Sequence, residues 1–400
     1  MAPAADTARN DPAAEVAFLF IGGAHQVYHL APAAAELSRL LPRQPVTCFC
    51  NDTATEAALQ LVRRVLEAPD MRIERVRPPL WGRLLAAYTR RQSSLKTPLL
   101  VSLSRRLRRA AAVVTPERTS AKLRRMGLKR SLMIHFRHGA GDRAPQSEER
   151  QAAFDLVVVP GEKDLRRAAE KGYLPPSRLR AGGYIKLEFF SRRITAPLRL
   201  FNNDRPVVLY NPHFDPEISS SPLAREVLAQ FVQQSRYNLI FAPHLRWAEN
   251  MSEAERAGWQ MLAQPGRIVV DLGSPRLIDM SYAMAADIYL GDMSSQLYEF
   301  LIRPRPAAFL NTHGAAWRDN PRFGGWALGE VADKAEDVMA AIDRAVAGHA
   351  EKAAAQQAAV RDAFGEIEGA ALRGAQAIAA AVAARAEARQ GRRVGAALSA

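Results

Sequence analysis

Cysteine is nearly missing from this sequence: of 400 residues only Cys48 and Cys50 carry thiols. Both lie in TCFC, inside an apolar run that reads as a strand. This excludes a disulfide framework or a cysteine zinc site and leaves two core thiols in a reducing compartment. Long apolar runs are missing too. No stretch of 18 or more apolar residues is present, which excludes a membrane-spanning helix. The opening MAPAADTARNDPAAE has neither the basic start nor the apolar centre of a secretory signal. A cytoplasmic protein with a short disordered leader over 1–14 is therefore expected. Metal signatures are lacking: there is no His-Glu-x-x-His, Cys-x-x-Cys or Asp-x-Asp, so no metal site and no cofactor are expected.

Acidic residues are also scarce in one region. Between Arg72 and Arg130 there are 17 Lys or Arg against two acids, Glu74 and Glu117, a local net of +15 in a chain of net charge +14. The remainder is close to neutral, so the basicity needs a regional explanation.

What is present is an alternation of strand-length apolar runs with helical segments. VAFLFIG, VTCFCN and MRIERV read as strands separated by APAAAELSRLL and EAALQLVRRVLEA. Continuously apolar strands joined by helices mark a parallel sheet covered on both faces. The alternation begins afresh after an Arg-, Asn- and Pro-rich stretch at about 191–206, with VVLYNP, NLIFAPH, RIVVDLG, DIYLGD and PAAFLN. The expected organisation is an N-terminal Rossmann-like domain over 15–200 with a basic helical insertion at 80–130, a C-terminal Rossmann-like domain over 206–345, and an Ala-rich helical tail over 346–400. A ligand cleft is expected between the carboxyl ends of the two sheets.

The strands of the second domain end in polar residues: Asn211 and His213, His244, then Asp292, Ser294 and Ser295, and finally Asn311 and His313. Ser294 and Ser295 open a helix, where free N–H groups favour an anion; a plain helix cap is the competing reading. Glu299 lies within reach of a ribose hydroxyl in this reading. In the first domain Gly22 and Gly23 follow the first strand and precede His25 and His29 in IGGAHQVYHL, a turn suited to a polar ligand. A tight turn with both histidines on the helix surface stands beside that reading. His138, in MIHFRHGAGDR, falls at a strand end beside flexible glycines and suits a general base, whereas His135 is expected to point into the fold.

FRHGAGDR, FAPHLR and DIYLGDMSSQLYEFL, in that order, make the chain resemble the CDP-glycerol glycerophosphotransferase family of teichoic-acid polymerases over roughly residues 130–345. His138 with Gly139 matches the family's W-H-G-T-P. Pro243 with His244 matches K-P-H-P, and Asp292, Ser294 and Ser295 match T-D-Y-S-S. Ala140, Gly141 and Asp142 replace Thr-Pro-Leu, and Leu245 replaces a proline. The resemblance implies an α/β GT-B fold, two Rossmann-like domains around a nucleotide cleft. It also implies a metal-independent transferase that moves a glycosyl or polyol-phosphate group from a CDP-glycerol-like donor to a hydroxyl of a cell-envelope glycan or lipid-linked acceptor. His138, His244 and Asp292 are then the catalytic candidates. Ser294, Ser295, Glu299, Asn211, His213 and Arg246 are the donor-binding candidates, and Gly22, Gly23, His25 and Arg137 the acceptor-binding ones. The UDP-N-acetylglucosamine 2-epimerase family is a second, lower-ranked resemblance: its H-V-E-A-G-L-R is similar to HFRHGAGDR, but Arg137 or His138 takes the glutamate slot. A non-catalytic scaffold that binds a membrane or polyanion is the third reading.

Residues 80–130 interleave Leu, Val, Trp and Tyr with arginines at roughly helical spacing. Such a surface suits peripheral attachment to an anionic inner leaflet, where lipid-linked acceptors reside. Nucleic acid competes on charge alone, but no binding module is recognisable and aromatics for stacking are few, so no nucleic-acid partner is expected.

Overall fold

The computed structural model describes residues 14–89, 92–139, 141–142, 148–191, 198–249 and 251–398. The leader 1–13, Ala140 and part of the expected linker, 192–197, lie outside them. The chain forms two compact units, residues 1–138, 147–189 and 366–400 in the first, 139–146 and 190–365 in the second.

The first unit is built on a parallel sheet of seven strands among the described residues: β1 (Val16–Phe20), β2 (Val46–Cys50), β3 (Met71–Arg75), β4 (Ala112–Thr115), β5 (Leu132–Phe136), β6 (Leu156–Val159) and β7 (Leu179–Ala181). Their order is β3-β2-β1-β4-β5-β6-β7, so the winding reverses between β1 and β4. Helices α1 (Val27–Leu40), α2 (Thr53–Val65), α3 (Leu80–Thr89) and α4 (Lys96–Leu107) follow the early strands. Leu19, Phe49, Leu103, Val113 and Val157 share one apolar core, each fully buried aliphatic or aromatic side chain contributing about 1.5–3 kcal/mol.

The segment 80–130 departs from the expected helical insertion. Leu99, Leu100, Leu103 and Leu107 turn one face of α4 into the core, and Ala112–Thr115 is a central strand paired with β1 and β5. Arginines on either side gave AAVVT the look of a basic helix, while its β-branched run fits a sheet covered on both faces. The expected tail also divides: helix His349–Phe364 belongs to the second unit, helix Ala370–Leu398 to the first. Gly374 lets the latter lie close over the core, since a Cβ there would stand 3.0 Å from Phe136 and 3.4 Å from Ala33. The Glu188 carboxylate accepts from the N–H groups of Gly369 and Ala371 at 2.8 and 2.7 Å, satisfying orphan donors at that helix start.

The second unit repeats the plan with six parallel strands among the described residues: β8 (Val207–Asn211), β9 (Asn238–Phe241), β10 (Ile268–Val270), β11 (Ile288–Gly291), β12 (Ala307–Leu310) and β13 (Glu330–Ala332), ordered β10-β9-β8-β11-β12-β13. Its winding reverses between β8 and β11. In open sheets of this kind ligands bind outside the carboxyl ends of the strands at that reversal, which directs attention to the loops after β1, β4 and β5 in one unit and after β8, β9, β11 and β12 in the other.

Candidate functional site

At the carboxyl edge of the first sheet, His138 places Nδ1 2.9 Å from the Pro116 carbonyl oxygen. A carbonyl can only accept, so Nδ1 carries the proton and Nε2 keeps its lone pair. Burial is the main influence lowering the pKa of His138, only partly opposed by the Glu117 charge; the ring is therefore neutral at pH 7. His25 and His29 stand around it, their ring centroids 6.2 and 5.9 Å from that of His138. All three rings are half-buried. Burial and the His138 charge lower His25 to about 3, and burial with the Lys186 charge lowers His29 well below its ordinary value. His135 is buried at 2% exposure and gives its own Nδ1 proton to the Thr115 carbonyl.

Glu117, absent from the candidate residues above, anchors this edge. It follows Pro116 just beyond β4, accepts a 2.7 Å ion pair from Lys96 and is hydrogen-bonded by the Gln26 amide. Burial alone would raise its pKa; the Lys96 ammonium, with its hydrogen bond, outweighs that and holds the carboxylate at about 2. The role of Gly22 is visible here: a Cβ would lie 2.2 Å from Glu117 Oε1 and 2.3 Å from the Gln26 amide. Gly23 takes φ 112°, a conformation that favours glycine. Arg137 is committed elsewhere, in a 2.8 Å ion pair with the fully buried Asp164.

In the second unit the loops after β8 and β9 carry the first cluster. His213 Nδ1 accepts from the N–H of Asp215 at 3.0 Å, and His244 Nδ1 accepts from the N–H of Arg246 at 3.2 Å. Both neutral rings must therefore carry their proton on Nε2, as donors. The two rings lie 5.4 Å apart, Phe214 packs against both, and the Arg246 guanidinium stands 4.1 Å over the Phe214 ring.

Asp292 fixes that loop from below the surface. It is fully buried, and its Oδ2 accepts from the backbone N–H of His213 at 2.7 Å and of Ser220 at 2.9 Å. Burial raises its pKa to about 7 despite those hydrogen bonds. Thr312 and His313 bind the same loop through the Ser219 carbonyl, at 3.1 and 3.2 Å. Asn211, 2% exposed, braces β8 to β9 by donating to the Ala242 carbonyl at 2.6 Å. Glu299 is 4% exposed, which withdraws it from the surface where a ribose contact was expected.

Ser294 is the N-cap of the helix Ser295–Phe300, its Oγ accepting from the Gln296 N–H at 3.2 Å. Gly139, Gly141 and Asp142 lie against this turn within the second unit. Gly139, at φ 81°, would place a Cβ 3.2 Å from Ser295 Oγ, and Gly141 one 3.2 Å from Ser295 N. Asp142 secures the approach by accepting from the Tyr298 hydroxyl and the Gly325 N–H, both at 2.7 Å. The structure thus joins the glycines of FRHGAGDR to the serines of GDMSS, with His138 itself in the first unit.

Among the described residues, no group of three or more His, Cys, Asp or Glu is placed to hold a metal ion, and no helix is long and apolar enough to cross a membrane. Cys48 and Cys50 are both buried, and burial raises both thiol pKa values.

No family model matches the chain, and no curated protein matches it in sequence. Solved structures match over nearly its whole length. UDP-GlcNAc 2-epimerase from Neisseria meningitidis, bound to UDP-GlcNAc, is 13% identical with a TM-score of 0.64, covering 91% of this chain and 99% of that one. S. aureus MnaA with UDP is 12% identical with a TM-score of 0.60, covering 90% and 94%. The wall teichoic acid polymerase TagF is 13% identical with a TM-score of 0.58, covering 94% and 90%. At these identities the likeness shows the fold: the chain has the GT-B fold, two α/β units each on a parallel sheet.

Proposed function

We propose that this chain is a transferase that moves a glycosyl or polyol-phosphate group from a nucleotide-diphosphate donor to an acceptor hydroxyl. The observation that carries the reading is the His138 tautomer: an unprotonated Nε2 on a half-buried ring, held by the Pro116 carbonyl. Such a nitrogen takes the proton of an attacking hydroxyl, a contribution of ~10²–10⁴-fold in rate. The second unit supplies the complementary chemistry. Nε2–H donors on His213 and His244, the Arg246 guanidinium and the Ser294–Ser295 turn suit the oxygens of a pyrophosphate and the charge that grows on the leaving nucleotide. Asp292 is a positioning residue in this account, because its carboxyl reaches the His213 loop through backbone N–H groups. His25, with Gly22 and Gly23, is assigned to the acceptor. The acceptor class is a cell-envelope glycan or lipid-linked hydroxyl, which would place the protein at the inner membrane surface.

Glu117 favours a second reading. The sequence offered no carboxylate for an epimerase that moves a proton on a nucleotide sugar, and Glu117 now stands at the edge carrying His138. It is held at about 2 by Lys96 and so lacks the raised pKa that suits a proton-shuttling acid; the transferase ranks first.

Calorimetric titration with CDP-glycerol, UDP-sugars and CMP-sugars, followed by product analysis with and without acceptor, tests both. A donor that binds and is consumed only with acceptor supports the transferase. A nucleotide sugar converted without acceptor supports the epimerase, and no binding by any nucleotide overturns both in favour of a scaffold.

A further inference from the structure

Of the eleven large apolar side chains exposed among the described residues, five lie on the ten-residue helix α3: Leu80, Trp81, Leu84, Leu85 and Tyr88, with Leu84 71% and Tyr88 89% exposed. Their spacing of one, four, five and eight places them on one helix face. The opposite side is small: Gly82 is buried against α4, where a Cβ would lie 2.5 Å from Pro98. α3 therefore packs its small side on its own domain and presents its large apolar side outward, the reverse of a helix serving the core.

Charge selects what covers that face. Arg77 and Arg83, before and within α3, are exposed. The two acids between residues 72 and 130 are engaged, Glu74 with Arg106 and Glu117 with Lys96. A second copy of the chain docking through the same face would set its arginines against these. Nucleic acid would use the charge but gain nothing from Leu80, Leu84 and Leu85, with only Trp81 and Tyr88 to stack.

We propose that α3 lies in the interface of an anionic lipid bilayer, its apolar face among the upper acyl chains and Arg77 and Arg83 at the headgroup phosphates. This rests on the proposed reaction only for its purpose, delivering the site to a lipid-linked acceptor; adsorption itself requires neither donor nor turnover.

Co-sedimentation of the full chain with vesicles of phosphatidylcholine alone, or mixed with phosphatidylglycerol, tests it. Binding is expected to the mixed vesicles, falling steeply as salt rises. The double variant L84E/Y88E loses about tenfold or more of it, and R83E, which removes no apolar surface, loses roughly threefold. Equal binding by wild type and L84E/Y88E, or no binding to mixed vesicles, overturns the proposal. So does a lipid-free dimer that L84E/Y88E dissolves, or RNA binding that needs α3 while vesicles are ignored. A chain that binds vesicles yet consumes no donor leaves the α3 assignment standing and overturns the proposed reaction.

Discussion

At the edge of the first sheet His138 Nδ1–H donates a hydrogen bond to a carbonyl, whereas at the edge of the second the Nδ1 atoms of His213 and His244 accept hydrogen bonds from backbone N–H groups. The architecture is one, a parallel sheet reversing its winding, yet one local contact leaves the imidazole Nε2 with its lone pair and another leaves it carrying the proton. The difference shows that the tautomer at each edge is set by what faces Nδ1, the Pro116 carbonyl in one unit and backbone N–H groups after β8 and β9 in the other. It also separates two supporting carboxylates. Glu117 stays ionised through a lysine partner, while burial pushes Asp292 up to about 7 despite its hydrogen bonds from the Ser220 side chain and the His213 and Ser220 N–H groups.

The largest effect should come from His138. His138→Ala is expected to lower turnover by ~10²–10⁴-fold, and His138→Gln to rescue none of it, because an amide nitrogen has no basic lone pair. Steady-state rates with the donor found by titration check this. His138 sits below its ordinary pKa, so the acid limb of the rate profile should have its midpoint below 6.5.

His213→Ala and His244→Ala should each weaken donor binding about 10–100-fold, the loss of a hydrogen bond to a charged oxygen. Here glutamine should recover part of the affinity, since its amide donates. A matching glutamine result at His138 and His244, read by calorimetry and rate, would erase the contrast between the two edges.

Glu117→Gln leaves Lys96 beside an amide and should cost roughly 2–4 kcal/mol by denaturant unfolding at pH 7. The sign of the pH dependence follows from the depressed pKa: the wild-type contribution is present above about 4.5 and lost as pH falls through about 2, and the variant lacks that slope. Removing the carboxylate also lowers the His138 pKa further, moving the acid limb of the rate to lower pH.

The smallest effect is at Asp292. Its folded pKa of about 7 exceeds the ordinary 3.8, so the stability it contributes is present below 3.8 and lost as pH rises through 7. Asp292→Asn keeps an acceptor for His213 and Ser220 and should be more stable than wild type at pH 8, by about 1–3 kcal/mol. Thermal melts at pH 5 and pH 8 read the difference. Donor affinity should survive in this variant and fall in Asp292→Ala, which frees the His213 loop.

Much of the second edge was legible because each of its strands is a short apolar run that stops at a polar residue: Asn211, His244, Asp292 and Asn311 all follow such a stop. What sequence could not show was depth. Asn211 and Asp292 look like surface groups at a strand end and Glu299 like one on a helix, yet all three are buried. The pairing of Asp142 with Tyr298, 156 residues apart, is of the same kind. Glu117 was legible in principle, as a lone acid one proline beyond the β-branched run VVT, but seventeen neighbouring cations drew the reading toward a helix surface. The buried role of α4 follows likewise from its Leu spacing once its arginines are set aside.

The proposed division of labour between the edges stands or falls on donor titrations of His138→Ala and His244→Ala run side by side. His138→Ala is expected to bind donor as wild type does while turning over poorly, and His244→Ala to bind at least ~10-fold more weakly. Donor affinity lost in His138→Ala and kept in His244→Ala would contradict it.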